Sequence, residues 1–108
     1  MKVKEIAEKL NLKILTEGED SEVTDCYCGD LLSWVMSRAK SGDIWLTVMG
    51  NVNAIAVATL ADISAIVLTE NASLDDNAMM KAKMVGVTIL STEKNTYQVA
   101  TEVSEFLK

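Results

Sequence analysis

The sequence predicts an α/β protein, a three-layer α/β/α sandwich with a mainly parallel sheet of four or five strands. Two observations support this fold class. Short apolar runs alternate with segments of helical period along most of the 108 residues, which is the order that strand-helix-strand units produce. The runs at 44–48 and 65–69 are apolar on both faces, as parallel strands covered by helices require. The crossovers between such strands are right-handed.

The first 22 residues predict a helix and an edge element. Apolar side chains recur at intervals of three and four within residues 2–10, so this segment forms a short helix with one apolar face. Residues 12–16 follow as an extended segment, and the polar turn at 17–21 ends it. We expect residues 12–16 to lie at an edge of the sheet.

From residue 23 onward the sequence repeats a strand followed by a helix. Gly42 and Gly86 are expected to end two of the helices, because glycine adopts the left-handed backbone of a helix C-terminus. We expect one domain over residues 1–108, with the helix and edge element at 1–22 and the repeated units at 23–107. The predicted strands are 23–28, 44–48, 65–69 and 87–91, and the predicted helices are 30–40, 51–62, 75–85 and 96–107.

The net charge and the length of the apolar runs argue against two classes of binding partner, nucleic acids and membranes. The formal net charge is -6, which argues against nucleic acid and anionic membranes, because binding a polyanion depends on Lys and Arg neutralising phosphates. The apolar runs are only a few residues long, too short for a signal peptide core or a membrane span. We therefore expect a cytoplasmic protein that binds neither nucleic acid nor membranes.

The side chains available for chemistry are few. Histidine is absent, which excludes Ser-His and Cys-His nucleophiles and removes the commonest metal ligand. Neither of the glycine-rich phosphate-binding patterns GxxxxGK[ST] and GxGxxG occurs. Only carboxylates such as Asp30, Asp43 and Glu70, with a thiol, remain for catalysis. We expect a protein that is not an enzyme and needs no cofactor.

Two cysteines, Cys26 and Cys28, are the only thiols. Residues two apart in a strand point to one face without being placed to bridge easily, so we expect no structural disulfide. A zinc or iron-sulfur site needs about four ligands, so one chain supplies half a site, and a metal carrier built from two chains stays an alternative. We favour small apolar residues in a buried strand and no metal site, with Asp30 capping the next helix.

Two turns at the carboxyl ends of predicted strands form the candidate ligand site. The first precedes a helix whose initial N–H groups are unpaired and could bind an anion, although Asn is equally a good helix cap. The second follows the next strand and is either a ligand loop or an ordinary polar surface loop. If the two strands are neighbours, the turns share a polar crevice. The candidate residues are Gly50, Asn51, Asn53, Thr69, Glu70 and Asn71.

We assign the two tryptophans and the methionines of the predicted helix at 75–85 either to the core or to a protein contact. Trp45 lies within a predicted strand and is assigned to the core, whereas Trp34 could anchor a protein contact. Met79, Met80 and Met84 are explained by packing of their helix on the sheet, with an adaptable contact surface as the alternative.

Several short motifs together carry a family resemblance. They are GDLLS at 29–33, GD at 42–43, GNVN at 50–53, AVA at 56–58, Thr69 and GVTIL at 86–90. Over residues 23–107 this pattern resembles the DRTGG domain family, and in particular the amino-terminal domain of the bacterial kinase that phosphorylates HPr on serine. The kinase activity of that relative belongs to a separate P-loop domain, so a serine-kinase label would be misleading for this chain.

The resemblance implies a regulatory or assembly module, found elsewhere fused to kinases, phosphotransacetylases and CBS-containing pyrophosphatases. The Asp-Arg pair of the family motif corresponds here to Asn51-Val52, and its Thr-Gly-Gly to Thr69-Glu70-Asn71. We expect a non-enzymatic regulatory or protein-interaction module that self-associates as a homodimer. A redox or hydrogenase-associated protein is the partner that the resemblance suggests. The alternative is a sensor of a nucleotide or phosphorylated metabolite at loops 50–53 and 69–71.

Overall fold

A computed structural model describes residues 1–107, and its strands and helices follow the predicted order. None of the helices within these residues has the length and apolar character needed to cross a membrane. Along the chain the elements are α1 (Val3–Lys9), β1 (Lys13–Thr16), β2 (Asp25–Cys28), α2 (Leu32–Arg38), β3 (Asp43–Thr47), α3 (Val52–Leu60), β4 (Ala65–Leu68), α4 (Asp76–Val85), β5 (Ile89–Ser91) and α5 (Thr96–Leu107).

The strands form one mixed sheet in the order β1-β5-β4-β3-β2. Strands β2 to β5 are parallel to their neighbours, and β1 pairs antiparallel with β5. The prediction of a mainly parallel sheet of four or five strands is confirmed, as is the edge position of residues 12–16. Strand β2 forms the opposite edge. Because the parallel strands lie side by side in chain order, no reversal of strand order opens a crevice between them.

Helices cover both faces of the sheet. One core cluster joins α2, α3 and α4 to a sheet face that includes Trp45 and Ile66. A second cluster joins α1 and α5 to the other face, where Ile44 and Val67 lie. All five residues of β3 are buried, because this strand is paired on both sides and covered on both faces. The three-layer α/β/α arrangement is therefore as predicted.

One of the two predicted helix stops is wrong. Gly86 ends α4 in a left-handed conformation, with φ 76°, as expected. Helix α2 instead ends at Arg38, and its C-cap is Ala39 in an extended conformation. Gly42 has φ 89°, but it lies in the turn before β3, where its N–H donates to Asp62 O at 3.1 Å. Its positive φ serves that turn and not a helix end.

The methionines of α4 do not pack on the sheet as predicted. Ala78 and Ala82 are the buried residues of this helix, while Met80 and Met84 are 64% and 79% exposed. Residues four apart lie on the same helix face, so each pair defines one side of α4. The small alanine side chains let α4 approach the sheet closely. Only Met79 is half-buried.

The prediction that the cysteines are packing residues of a buried strand holds for Cys26, which packs against the core, and is wrong for Cys28. Strand β2 pairs with β3 on one side only, so its outer edge is not covered by another strand. Cys26 is half-buried and Cys28 is exposed, and both are free thiols.

Candidate functional site

The two loops of the candidate site lie next to each other. Strands β3 and β4 are paired, with Thr47 opposite Leu68 at their carboxyl ends. The loop after β3 then contacts the loop after β4 directly, because Asp75 N–H donates to Gly50 O at 2.8 Å. The adjacency on which the predicted crevice depended is thus present in the structure.

The contact between these loops is a close backbone approach at Gly50. A Cβ atom built on Gly50 would lie 2.0 Å from Ser73 O and 3.0 Å from its carbonyl carbon. Only a residue without a side chain fits this space. At Gly50 the two loops therefore pack on each other and leave no room for a ligand between their backbones.

The two asparagines of the first loop have different environments. Asn51 is the N-cap of α3, and its Oδ1 accepts a hydrogen bond from Ala54 N at 2.9 Å. This bond satisfies one of the initial N–H groups of the helix, so the capping interpretation of Asn51 is observed directly. The side chain of Asn53 is exposed at the same end of the helix, where it is free to meet a ligand.

Thr69, at the end of β4, is inside the protein. Its side chain is fully buried, and its hydroxyl lies 2.7 Å from the hydroxyl of Thr96. This contact joins the end of β4 to the first residue of α5. Thr69 therefore supports the loop from within, while the exposed side chains of Glu70 and Asn71 face solvent.

Glu70 and Asn71 form the centre of a left-handed turn. Their φ angles are 60° and 56°, and Ala72 N–H donates back to Thr69 O at 3.0 Å. Two consecutive residues with positive φ are the mark of a type I′ turn, which favours Gly or Asn over Glu. The resemblance in sequence places the two glycines of the family motif at these positions.

The strain at Glu70 predicts that Glu70→Gly stabilises the protein by up to about 1 kcal/mol, because glycine adopts positive φ without a Cβ penalty. Urea unfolding of the two proteins measures the difference. Glu70→Ala is the matched control, since it removes the same charge but keeps the penalty. Equal unfolding midpoints for the Gly and Ala variants would show that the turn is not strained at this residue.

Asp30 has a structural role that sequence reasoning missed. The expected helix cap is wrong: the N-cap of α2 is Leu31, without a side-chain cap. The Oδ1 atom of Asp30 instead accepts hydrogen bonds from Thr47 Oγ1 at 2.7 Å and from Val48 N at 2.9 Å. Asp30 thus joins the carboxyl ends of β2 and β3. The sequence signal for this role was the position of Asp30 two residues after the end of β2, which pairs with β3.

The remaining carboxylates do not converge on one site. Asp43 is buried at the amino end of β3, where its Oδ2 accepts a hydrogen bond from Lys40 N at 2.8 Å. Its Oδ1 has no hydrogen-bond partner within residues 1–107. Asp30 and Glu70 lie after the carboxyl ends of β2 and β4, at the other end of the sheet. Asp43 is therefore too far from Asp30 and Glu70 to act with either of them on one substrate, and β3 lies between the strands that carry those two residues.

A polar groove beside Asn71 extends the candidate site along the carboxyl edge of the sheet. Lys94 contributes to it with Nζ 3.0 Å from Glu102 Oε1 and 3.3 Å from Leu10 O. Lys13, on the edge strand β1, is exposed in the same groove. The groove is lined by Asn11, Lys13, Asn71, Ser91, Thr92, Glu93 and Lys94. Sequence reasoning missed it because its walls come from distant parts of the chain.

The two thiols interact with each other on β2. A side-chain hydrogen bond with Cys26 lowers the pKa of Cys28 to about 7, against burial and the charge of Asp30, which act in the opposite direction. The same hydrogen bond raises the pKa of Cys26, and burial and the charges of Cys28, Asp25 and Asp43 raise it further. Residues 1–107 contain no group of three or more His, Cys, Asp or Glu side chains placed to hold a metal.

Among solved structures, the chain is similar to the CBS and DRTGG domains of the regulatory region of Clostridium perfringens pyrophosphatase, a structure complexed with the activator diadenosine tetraphosphate. The TM-score is 0.75 at 13% sequence identity, which shows a shared fold. The match covers 94% of this chain and 45% of the other, so this chain spans less than half of that structure. No curated protein matches the sequence significantly.

The family assignment covers nearly the whole chain. The model of the DRTGG domain matches residues 5–106, which begins well before residue 23, where the resemblance in sequence motifs starts. Helix α1 and the edge strand β1 are therefore part of the family domain, consistent with their place in the core and sheet. This protein belongs to the DRTGG domain family.

Proposed function

We propose that this chain is a non-catalytic regulatory module that acts through protein contacts and self-associates as a dimer. The observation that carries the proposal is an exposed apolar surface beside β2, which we call the α2 surface. It consists of Leu31, Trp34 and Val48, which are 56%, 51% and 39% exposed. Contiguous apolar side chains on a protein surface commonly mark a site of protein contact.

Backbone hydrogen bonds place these three residues near one another. Leu31 and Trp34 lie three residues apart at the start of α2, where Trp34 N–H donates to Leu31 O at 3.0 Å. Val48 is close to them because its N–H bonds to the Asp30 carboxylate. The Arg38 guanidinium stacks on the Trp34 ring at 3.8 Å from its centre, which restricts the indole. Trp and Arg are the residues that most often dominate binding energy at interfaces.

The free edge of β2 is less suited to association by strand pairing. The Oδ1 atom of Asp25 accepts a hydrogen bond from Cys26 N at 2.8 Å, so a backbone donor of this strand is already occupied by a charged side chain. Charged side chains on edge strands oppose the addition of another strand. The helical surface is therefore the one we assign to the dimer.

Light scattering of the purified chain tests this proposal. We expect a dimer for the natural sequence and a monomer for Trp34→Asp, because a charge at the centre of an apolar contact must be desolvated on association. Tyr97→Asp is the matched control: Tyr97 is an aromatic residue of α5, 79% exposed on the other layer, and this variant should stay dimeric. A monomeric natural chain, or the same mass for both variants, would reject the α2 surface.

A sensor of an anionic small molecule is the second candidate. The polar groove supports it, because it combines Lys13 and Lys94 with the exposed Asn71 of the candidate site at the carboxyl edge of the sheet. The regulatory region of the similar pyrophosphatase was solved with a nucleotide activator. Repeating the scattering measurement with diadenosine tetraphosphate, ATP and an acyl phosphate tests this candidate. A ligand-dependent change in mass that Lys13→Gln abolishes would favour the sensor over the constitutive dimer.

A redox protein as the regulated partner is part of the same proposal. Such a partner would bind outside the α2 surface, which the dimer covers, and Cys28 is exposed on the other face at the end of β2. The regulatory role needs no catalytic group in this chain, since the response would be carried by the partner.

A further inference from the structure

The thiols of Cys26 and Cys28 are placed as a pair on an open edge. They lie opposite Ile44 and Leu46 of β3, and alternation along the strand puts both on the sheet face covered by α1 and α5. Cys26 packs against the core of that face, whereas Cys28 is exposed at the end of the strand. One thiol is thus accessible from solvent and the other is held behind it.

The surroundings make the two thiols chemically unequal. Cys26 is near the carboxylates of Asp25 and Asp43, which disfavour a thiolate there, and it serves as the hydrogen-bond partner of Cys28. The same hydrogen bond lowers the pKa of Cys28 and favours its thiolate. Burial and the charge of Asp30 act against this effect, and Asp30 is the one charged group among the residues that the structure describes that does so. An exposed thiolate beside a protonated, partly buried thiol is the arrangement of redox-sensitive cysteine pairs.

We propose that Cys26 and Cys28 form a reactive dithiol that is oxidised by low-molecular-weight disulfides, with Cys28 as the attacking residue and Cys26 as the resolving residue. The inference goes beyond the regulatory role proposed above and requires neither a dimer nor a ligand. It assigns a modification site to the edge strand of the sheet.

The reaction balances with the disulfide as its only co-reactant. The Cys28 thiolate attacks one sulfur of the small disulfide, the S–S bond breaks, and one thiolate leaves. Cys26 then loses its proton to solvent, and its sulfur attacks the Cys28 sulfur of the mixed disulfide and expels the second thiolate. The protein dithiol is oxidised to a disulfide, and the small disulfide is reduced to two thiols.

The resulting disulfide is expected to be easily reduced. Two residues apart on one face of a strand, both the Cα atoms and the parallel Cβ atoms are separated by about 6.4–6.8 Å, whereas a disulfide needs a Cβ–Cβ distance of about 3.5–4.5 Å. Closing the bond therefore requires residues 26–28 to leave the extended conformation at the edge of the sheet, which strains the disulfide. Strained and exposed disulfides have the more oxidising potentials and are the labile ones. The pair is therefore suited to a reversible response and not to stabilising the fold.

The test uses the reduced full chain, treated with glutathione disulfide without oxygen and followed by mass spectrometry of the intact protein. Since the chain has only these two cysteines, every change in thiol mass belongs to this pair. We expect the natural chain to lose two hydrogens and to recover them on addition of dithiothreitol. Cys26→Ala should stop at a stable mixed disulfide on Cys28, and Cys28→Ala should react about tenfold more slowly or worse.

Circular dichroism of both variants checks that they are folded. If Cys26→Ala does not fold, Cys26→Ser is a second variant without the resolving thiol. The alkylation rate of Cys28 should rise with pH around a midpoint near its pKa of about 7. A mixed disulfide that accumulates on the natural chain without closing, or equal rates for the two alanine variants, would overturn the assignment. So would tight retention of zinc that protects both thiols, which would identify a metal site instead.

Discussion

Gly50→Ala is expected to destabilise the protein by about 3 kcal/mol or more, because overpacking costs about 1–3 kcal/mol even where side chains can shift. Here the atoms that would clash belong to the backbone. The new Cβ would lie 2.0 Å from Ser73 O and 3.1 Å from the Cα of Leu74. Neither atom can rotate away as a side chain does. The two loops would have to separate, with loss of the hydrogen bond from Asp75 N to Gly50 O.

Urea unfolding followed by circular dichroism measures this loss. Gly86→Ala is the control, because Gly86 has φ 76° but no atom within 4 Å of the place that a Cβ would occupy. That variant is strained only by its backbone and should lose about 1 kcal/mol. If Gly50→Ala were no less stable than Gly86→Ala, the two loops could not be in close backbone contact.

Trp45→Ala is expected to lose about 3–5 kcal/mol, the usual cost of removing a large buried aromatic side chain. Trp45 is fully buried in β3, and its Nε1 donates to Gly29 O at 2.8 Å. The substitution therefore leaves a large cavity and an unpaired carbonyl at the end of β2. The surrounding core would have to collapse to fill the space.

The chain supplies its own control, since Trp34 is the only other tryptophan and is half exposed. Trp34→Ala should change the free energy of unfolding of the monomer by less than about 1 kcal/mol. Trp45→Phe, which keeps most of the ring volume, should fall between the two alanine variants. Equal losses for Trp45→Ala and Trp34→Ala would contradict the burial of Trp45.

Fold class and element order were predictable because the strongest sequence signals coincide with the strongest structural constraints. The dense apolar runs of β3 and β4 exist because these strands are paired on both sides and covered on both faces. Helix α5 has the bounds predicted for it, and its buried residues Val99 and Val103 lie four apart on one helix face.

Errors arose where burial depends on distant partners. The segment containing Cys26 and Cys28 has the composition of a strand, but composition does not reveal its position in the sheet, and an edge position exposes one of the two thiols. In α4 hydrophobicity favoured Met80 and Met84, whereas the close approach to the sheet selected the alanines on the opposite face.

The candidate site was predicted in outline but not in its details. The proximity of its two loops depended on the two strands being neighbours, which the sequence left open and the structure shows. The packing of Gly50 on Ser73, the burial of Thr69 and the bonds of Asp30 depend on atomic contacts between loops. Polar loop residues do not reveal from sequence alone whether they bond within the protein or remain available to a ligand.

The turn at Glu70 and Asn71 also connects the two helical layers of the molecule. Its N–H groups donate to Lys94 O at 2.8 Å and to Thr92 O at 2.9 Å, within the segment that leads into α5 on the opposite face from α3. A change in the backbone conformation of this turn would break these two hydrogen bonds or shift residues 92–94 with it. The turn and the segment before α5 are therefore coupled. A partner that binds the loops on the α3 side of the sheet would thereby affect α5 on the other side, through the chain and these hydrogen bonds.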